Sequence, residues 1–274
     1  MYGYRPLPDR EYKRFWGTTI SFNNLSLRSE ADWDSNKQNK ILFLGDSVTY
    51  GGSYISNLEL FSFLSVKKLK NKFISGNAGV NGWGVENVFG LIVEKGFTPA
   101  KIYVSVFPEL DFYRGLTRLQ GLPFFNTSPK YAMKELWLYF CYKQNNFRYK
   151  NWQNNSDELT KKSIVEKAIK KLKQMDEFLR DKGYIHTIFI SPTKKQLMKQ
   201  DTNDITINDL MQKYQLSAYY IEKEIGEIMN LSDKEKMDCY HDNVHLSKFG
   251  HKIWADAIIS RLSQVLRLKL EKTN

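Results

Sequence analysis

Cysteine is nearly absent: Cys141 and Cys239 are the only two in 274 residues, and almost a hundred positions separate them. They form no CxxC and no paired framework, which excludes a disulfide scaffold and a zinc ribbon. One bridge between them stays open, with two isolated buried thiols the simpler expectation. Glycine (16) and proline (7) are sparse, which excludes collagen-like and linker-dominated chains. No apolar run approaches the roughly 18 residues of a membrane span. The opening MYGYRPLPDREYKR lacks the apolar core of a signal peptide. A soluble chain is expected, either cytoplasmic or exported with its leader removed.

What is present suits one folded domain over 1–274, since 42% of the residues are hydrophobic and the length can bury a proper core. The net charge is +11, which invites a nucleic-acid or membrane-surface reading. Lysine supplies most of it, 31 against 10 arginines, whereas bidentate phosphate readers favour arginine. The charge is also local. Residues 113–155 hold seven Lys/Arg against the single acid Glu135, together with 11 aromatics. That segment reads as an insertion or lid that could meet an acidic glycan, an anionic surface, a protein partner or a second copy of the chain. Nucleic acid is disfavoured.

Residues 1–38 are polar and aromatic by turns and are expected to wrap the core. Apolar runs predict buried strands at 41–44, 72–77, 101–107 and 184–190, the last two closed by Pro108 and Pro192. Helical spacing predicts helices over 58–70, 85–95, 157–182 and from 248 onward, with another starting at Ser128-Pro129. Ile164, Ala168, Leu172, Met175 and Leu179 make one core-facing stripe. Ile253, Trp254, Ala257, Ile258, Leu262 and Val265 make another. Met133, Leu136, Trp137 and Phe140 share a helical face and are assigned to core packing or an oligomer contact. Alternating strands and helices argue for a parallel sheet covered on both faces.

In such sheets ligands bind beyond the carboxyl ends of the strands. The first strand delivers Gly45-Asp46-Ser47 there, and a serine on a strand-to-helix turn can expose its hydroxyl. Alone, the tripeptide is better read as an ordinary turn with a serine cap. The second strand ends in Asn77-Ala78-Gly79-Val80-Asn81-Gly82-Trp83-Gly84, whose glycines allow close backbone approach. A dinucleotide fingerprint fails there, because the glycine spacing is wrong and no acid follows at the right distance. Near the end, Asp242 stands three residues before His245, so the carboxylate can fix the imidazole tautomer and free the other nitrogen for a serine proton. A merely structural Asp–His pair would look the same. His241, His245 and His251 lie close to Cys239, yet the HExxH and CxxC patterns of zinc sites are missing, so no metal is expected.

Taken together, LGDSVTYG (44–51), NAGVNGWG (77–84) and DNVHLSKFGH (242–251) make the chain resemble the SGNH, or GDSL-type, hydrolase superfamily. The second block is similar to that of members associated with acylated polysaccharides. The resemblance covers about 40–112 and 184–262 and implies a flavodoxin-like three-layer α/β/α sandwich that works without a cofactor. It implies Ser47 as nucleophile, His245 as general base and then acid, Asp242 as its orienter, and the N–H groups of Ser47 and Gly79 as an oxyanion hole. The family normally adds an Asn side chain after the third strand. Here Phe107-Pro108-Glu109-Leu110-Asp111-Phe112 offers Leu110 or Glu109 at that place, and Asn77 or Asn81 would have to substitute. The implied activity is ester hydrolysis or acyl transfer on an O-acylated carbohydrate or small ester. The alternatives are a lysophospholipase or thioesterase of the same fold, and a catalytically weakened glycan-binding module.

Overall fold

The computed structural model describes residues 3–14, 17–33, 39–69, 73–114, 133, 137, 140, 141 and 158–271. An antiparallel hairpin, β1 (Arg10–Lys13) and β2 (Thr19–Phe22), opens the chain. Then come β3 (Asn39–Gly45), α1 (Ser47–Tyr50), α2 (Phe61–Lys67), β4 (Phe73–Asn77) and α3 (Val85–Phe89), which continues as a π turn, Gly90–Glu94. They are followed by β5 (Ile102–Pro108), a 3-10 turn at Glu109–Tyr113, α4 (Glu158–Asp181) and β6 (Ile185–Ser191). The remainder is α5 (Lys194–Leu197), α6 (Ile205–Lys213), β7 (Tyr219–Tyr220), α7 (Ile221–Ile228), α8 (Asp233–Asp238) and α9 (Lys248–Glu271).

Five strands form one sheet in the order β4-β3-β5-β6-β7, and every pairing in it is parallel. Numbered within the sheet, that order is 2-1-3-4-5, the flavodoxin-like winding. The direction in which successive strands are added reverses between the first and third strands, so a crevice opens at the carboxyl ends of β3 and β5.

Strand residues alternate between two cores. Leu42, Leu44, Tyr103 and Phe107 pack with α3, α4 and α6 on one face. Ile41, Phe43, Val104 and Val106 pack with α2, α7 and α9 on the other. The fold is therefore a three-layer α/β/α sandwich. The helix stripes face these cores as expected, although Ile164 and Val265 are only half-buried, and Val165 and Ile169 complete the α4 stripe.

The amino-terminal segment runs along the edge strand, where Arg28 and Asn77 exchange backbone hydrogen bonds. The Arg28 side chain is itself buried and donates to the carbonyls of Tyr50, Gly52 and Ile55 and to Asn57 Oδ1. Burial lowers its pKa to about 10. The network ties the segment to the loop that follows α1.

Most of 113–155, including the expected helix start at Ser128-Pro129 and Leu136, lies outside the described residues. Met133, Trp137 and Phe140 are described, and at 76%, 65% and 59% exposure they are not in the core. Both cysteines are free thiols. No described helix is long and apolar enough to cross a membrane.

Candidate active site

Ser47 begins α1 directly after β3. Its neighbour Gly45 must be glycine, because a Cβ there would sit 2.3 Å from both the Val106 carbonyl and Thr49 Oγ1. Thr49 Oγ1 donates to that same carbonyl at 3.2 Å and pins α1 to β5. Asp46 caps the helix: its Oδ1 accepts from the Val48 N–H at 2.8 Å. These contacts hold Ser47 on the carboxyl edge, half-buried.

The Ser47 Oγ lies 2.9 Å from His245 Nε2, and His245 Nδ1 lies 2.7 Å from Asp242 Oδ2. Asp242 Oδ1 also accepts the backbone N–H groups of Val244 and His245, each at 2.7 Å. Burial pushes the Asp242 carboxyl up, but those N–H groups and the imidazole outweigh it and hold it below the usual carboxylate range. A short bridge between Tyr240 and Leu246 closes this loop, braced by Tyr54 Oη donating to the Leu246 carbonyl at 3.1 Å.

The last residues of the third block have structural work. A Cβ on Gly250 would lie 1.9 Å from the Cys239 carbonyl, so only glycine lets α9 start against that loop. His251 is fully buried, and its Nδ1 accepts the Phe61 N–H at 3.1 Å. It thereby caps α2, whose own N-cap residue Leu60 has no side chain to do so. Cys239 is buried and its thiol is pushed up to about 12 by burial, then by Asp238 and Glu235. Among the described residues, no three or more His, Cys, Asp or Glu are arranged to hold a metal ion.

The second block is shaped by Asn77. Its Oδ1 accepts the Gly79 N–H at 2.9 Å, an Asx turn, while its Nδ2 donates to the Thr49 carbonyl at 2.6 Å and to Ser62 Oγ at 3.1 Å. Both amide hydrogens of this buried residue are thus spent, so Asn77 has no donor left to replace the missing side chain. A Cβ on Gly79 would lie 2.4 Å from the Tyr50 nitrogen, so the turn presses against α1. Asn81 is exposed, and its carbonyl accepts from Tyr4 Oη.

After β5, Glu109 turns away from the serine: it accepts from Gln196 Nε2 at 2.5 Å and from the Asp204 N–H at 2.9 Å. Burial nevertheless raises its carboxyl above the ordinary range. Leu110 is 45% exposed.

Arg114, which the motifs did not single out, enters instead. The two hydrogens of its Nη1 are shared among three acceptors, Asp111 Oδ1 at 2.6 Å, the Trp83 carbonyl at 3.0 Å and Asp46 Oδ2 at 3.1 Å. One guanidinium nitrogen so joins the ends of β3, β4 and β5.

A second relay of the same kind sits inside the protein. Ser105 Oγ is 2.9 Å from His186 Nε2, and His186 Nδ1 is 2.9 Å from Asp176 Oδ1. Ser105 is in mid-strand and all three residues are buried, so no substrate reaches that hydroxyl.

No protein-family model matches the chain, and no curated protein matches it. Several solved structures are similar in fold. A member of the lipolytic protein G-D-S-L family from Veillonella parvula DSM 2008 is 12% identical, with 82% of this chain and 97% of that one covered and a TM-score of 0.44. A carbohydrate acetylesterase family member from Sinorhizobium meliloti is 11% identical, covering 84% and 99% at a TM-score of 0.43. A two-domain esterase active on acetylated mannans is 13% identical, covering 83% of this chain and 50% of that one at a TM-score of 0.47. The chemistry of the site rests on its own residues.

Proposed function

We propose that this chain is a serine esterase of the SGNH type. The observation that carries the reading is the accessible relay from Ser47 through His245 to Asp242, with spacings of 2.9 and 2.7 Å, at the crevice where the strand order reverses.

The chemistry follows from the donors and acceptors. Ser47 Oγ attacks the ester carbonyl carbon while its proton passes to His245 Nε2. Asp242 holds the imidazole with its Nδ1 proton inward and stabilises the imidazolium that forms. The carbonyl electron pair moves onto oxygen, facing the Ser47 and Gly79 N–H groups. Gly79 must share or leave its bond to Asn77 to serve there. When the tetrahedral adduct collapses, the bond to the leaving alcohol breaks and the alcohol takes the proton from His245. A water molecule, or a sugar hydroxyl in a transferase, then repeats the sequence on the acyl-serine and restores the free hydroxyl.

The absence of the third-block Asn lowers the expected rate by about 10²–10³-fold against an otherwise equal site with that donor. It leaves the nucleophile and base intact.

The class of acyl donor is inferred from the second block. NAGVNGWG resembles that of members associated with acylated polysaccharides, so an O-acetylated carbohydrate is the substrate class inferred. Replacing Ser47 by Ala and following p-nitrophenyl acetate and acetylated sugars tests the mechanism; turnover that survives the substitution rules out the serine route. Preference for long over short acyl chains would move the assignment to a lysophospholipase or thioesterase. The lack of an Asn near Glu109 favours a second reading, a glycan-binding module with little activity. Labelling of Ser47 by a fluorophosphonate, which needs an activated hydroxyl, would exclude it.

A further inference from the structure

The Ser47 hydroxyl has one proton and two acceptors within reach: His245 Nε2 at 2.9 Å and Asp46 Oδ2 at 3.2 Å. Only the first leads to chemistry. The second is a carboxylate oxygen, and a hydrogen bond to an ionised acceptor is about twice as strong as a neutral one. Left alone, Asp46 would draw the proton away from the base.

The carboxylate is not alone. Its other oxygen is occupied by the Val48 N–H, and Oδ2 itself receives Arg114 Nη1 at 3.1 Å. Asp46 is fully buried and the Arg114 side chain is only 12% exposed, so this ion pair is poorly screened. The approach is built into the backbone. A Cβ on Gly84 would lie 2.8 Å from the Asp111 carbonyl and 2.9 Å from Arg114 Cβ, so the last glycine of NAGVNGWG makes room for the turn that carries the arginine.

We propose that Arg114 is a positioning residue for the nucleophile, acting through Asp46. This rests on the serine-esterase reading above. By engaging the one Asp46 oxygen that competes for the Ser47 proton, the guanidinium leaves the hydroxyl directed at His245. It also balances a carboxylate that would otherwise repel the negative charge growing on the substrate oxygen. Both effects bear on the chemical step, so kcat changes and KM does not. A purely structural tie, through Asp111 and the Trp83 carbonyl, would make no such distinction and would not depend on the charge of Asp46.

The test is a double-mutant cycle on the full chain with p-nitrophenyl acetate, backed by the rate of fluorophosphonate labelling. Arg114→Met should lower kcat about 100-fold with KM within about threefold, the scale of losing one charge-balancing donor at a reacting centre. Arg114→Lys, which keeps the charge, should recover at least about tenfold of that loss. Asp46→Asn retains a side-chain oxygen for the Val48 N–H, so it keeps the cap but removes the anion. In that background Arg114→Met should cost less than about fivefold. Thermal melting of each variant separates misfolding from a kinetic effect.

An equal cost of Arg114→Met in both backgrounds, or an unchanged kcat in the wild-type background, overturns the positioning role while leaving the esterase standing. A folded wild-type chain that neither turns over nor labels overturns both.

Discussion

His251 gives the folded state a pH dependence whose size can be worked out. The ring is fully buried, and burial first, then the nearby Arg28 cation, lowers its pKa to about 3. Its Nδ1 accepts the Phe61 N–H, so the single ring proton sits on Nε2, which has no partner among the described residues. The folded chain cannot protonate this ring until near pH 3, whereas the unfolded chain does so near pH 6.5. The unfolded state therefore binds more protons throughout that window. Stability is whole above about pH 6.5 and falls as the pH drops toward 3. At 1.36 kcal/mol per unit, the loss is about 2 kcal/mol by pH 5 and on the order of 5 kcal/mol at the acid end. For a domain with roughly 5–15 kcal/mol in total, that is a large share. The assay is urea unfolding at pH 7, 6 and 5 for the wild type and for His251→Phe. Phenylalanine keeps the stack on Phe61, whose ring centroid lies 5.5 Å away, but leaves the Phe61 N–H without its acceptor. The variant should lose about 1–3 kcal/mol at pH 7. It should then lose less than the wild type on acidification, so that the two curves converge near pH 5. His186, also lowered by burial, acts in both proteins and cancels in the difference. Parallel curves, with the gap at pH 5 equal to that at pH 7, would refute the assignment.

Three further outcomes follow from particular contacts. Gly79→Ala places a Cβ 2.4 Å from the Tyr50 nitrogen and 2.8 Å from the Thr49 carbonyl carbon, both backbone, so α1 must move. Stability should fall by about 1–3 kcal/mol and kcat by about 100-fold, as for a nucleophile misplaced by an ångström; wild-type kcat would disprove the coupling. Asp242→Asn removes the carboxylate that orients His245. Because the Asp242 side chain is 50% exposed and water can partly take its place, kcat should drop by roughly 10²–10³-fold, measured on p-nitrophenyl acetate. Ser105→Ala leaves His186 Nε2 without its partner and should cost about 1–3 kcal/mol in urea melts, with one fluorophosphonate still bound per chain.

Much of the scaffold was legible because burial on both faces leaves a plain mark. The strands β3, β4, β5 and β6 are apolar runs ended by Gly45, Asn77, Pro108 and the Pro192 that follows Ser191, and α4 and α9 carry long apolar stripes. The hairpin Arg10–Phe22 was not, since β1 presents only exposed or half-exposed residues and owes its form to pairing with β2. Among the short helices between β6 and α9, α8 has no buried residue and is held by its cap, Ser232 with Glu235. β7 is two residues long. The three motif blocks named the relay through their order, but Arg28 and Arg114 leave no local trace. Each acts by reaching carbonyls or carboxylates that are distant in the chain, and spacing along a sequence does not record such meetings. Met133, Trp137 and Phe140 share a helical face in the sequence, yet that face is exposed; periodicity shows which residues lie together and not what covers them.

The two serine–histidine–aspartate relays differ in setting, and the difference separates the proposed nucleophile from a buried network. Their spacings are almost the same, 2.9 and 2.7 Å in one and 2.9 and 2.9 Å in the other. The difference lies in where the sheet puts them. Ser105 is in the middle of β5, where it pairs with Ile188 across the ladder and its hydroxyl satisfies an imidazole that burial would otherwise strand. Ser47 stands two residues past the end of β3, on a turn that only Gly45 can make and beside a second turn shaped by Asn77. There the backbone stops pairing with neighbouring strands, so its N–H groups and the hydroxyl can face a ligand. Arg114 belongs with that end of the sheet as well, since its three partners are supplied by the exits of β3, β4 and β5. The reactivity proposed for Ser47 thus rests on the position of its relay at the carboxyl edge, whereas the same kinds of side chain one layer deeper tie β5, β6 and α4 together.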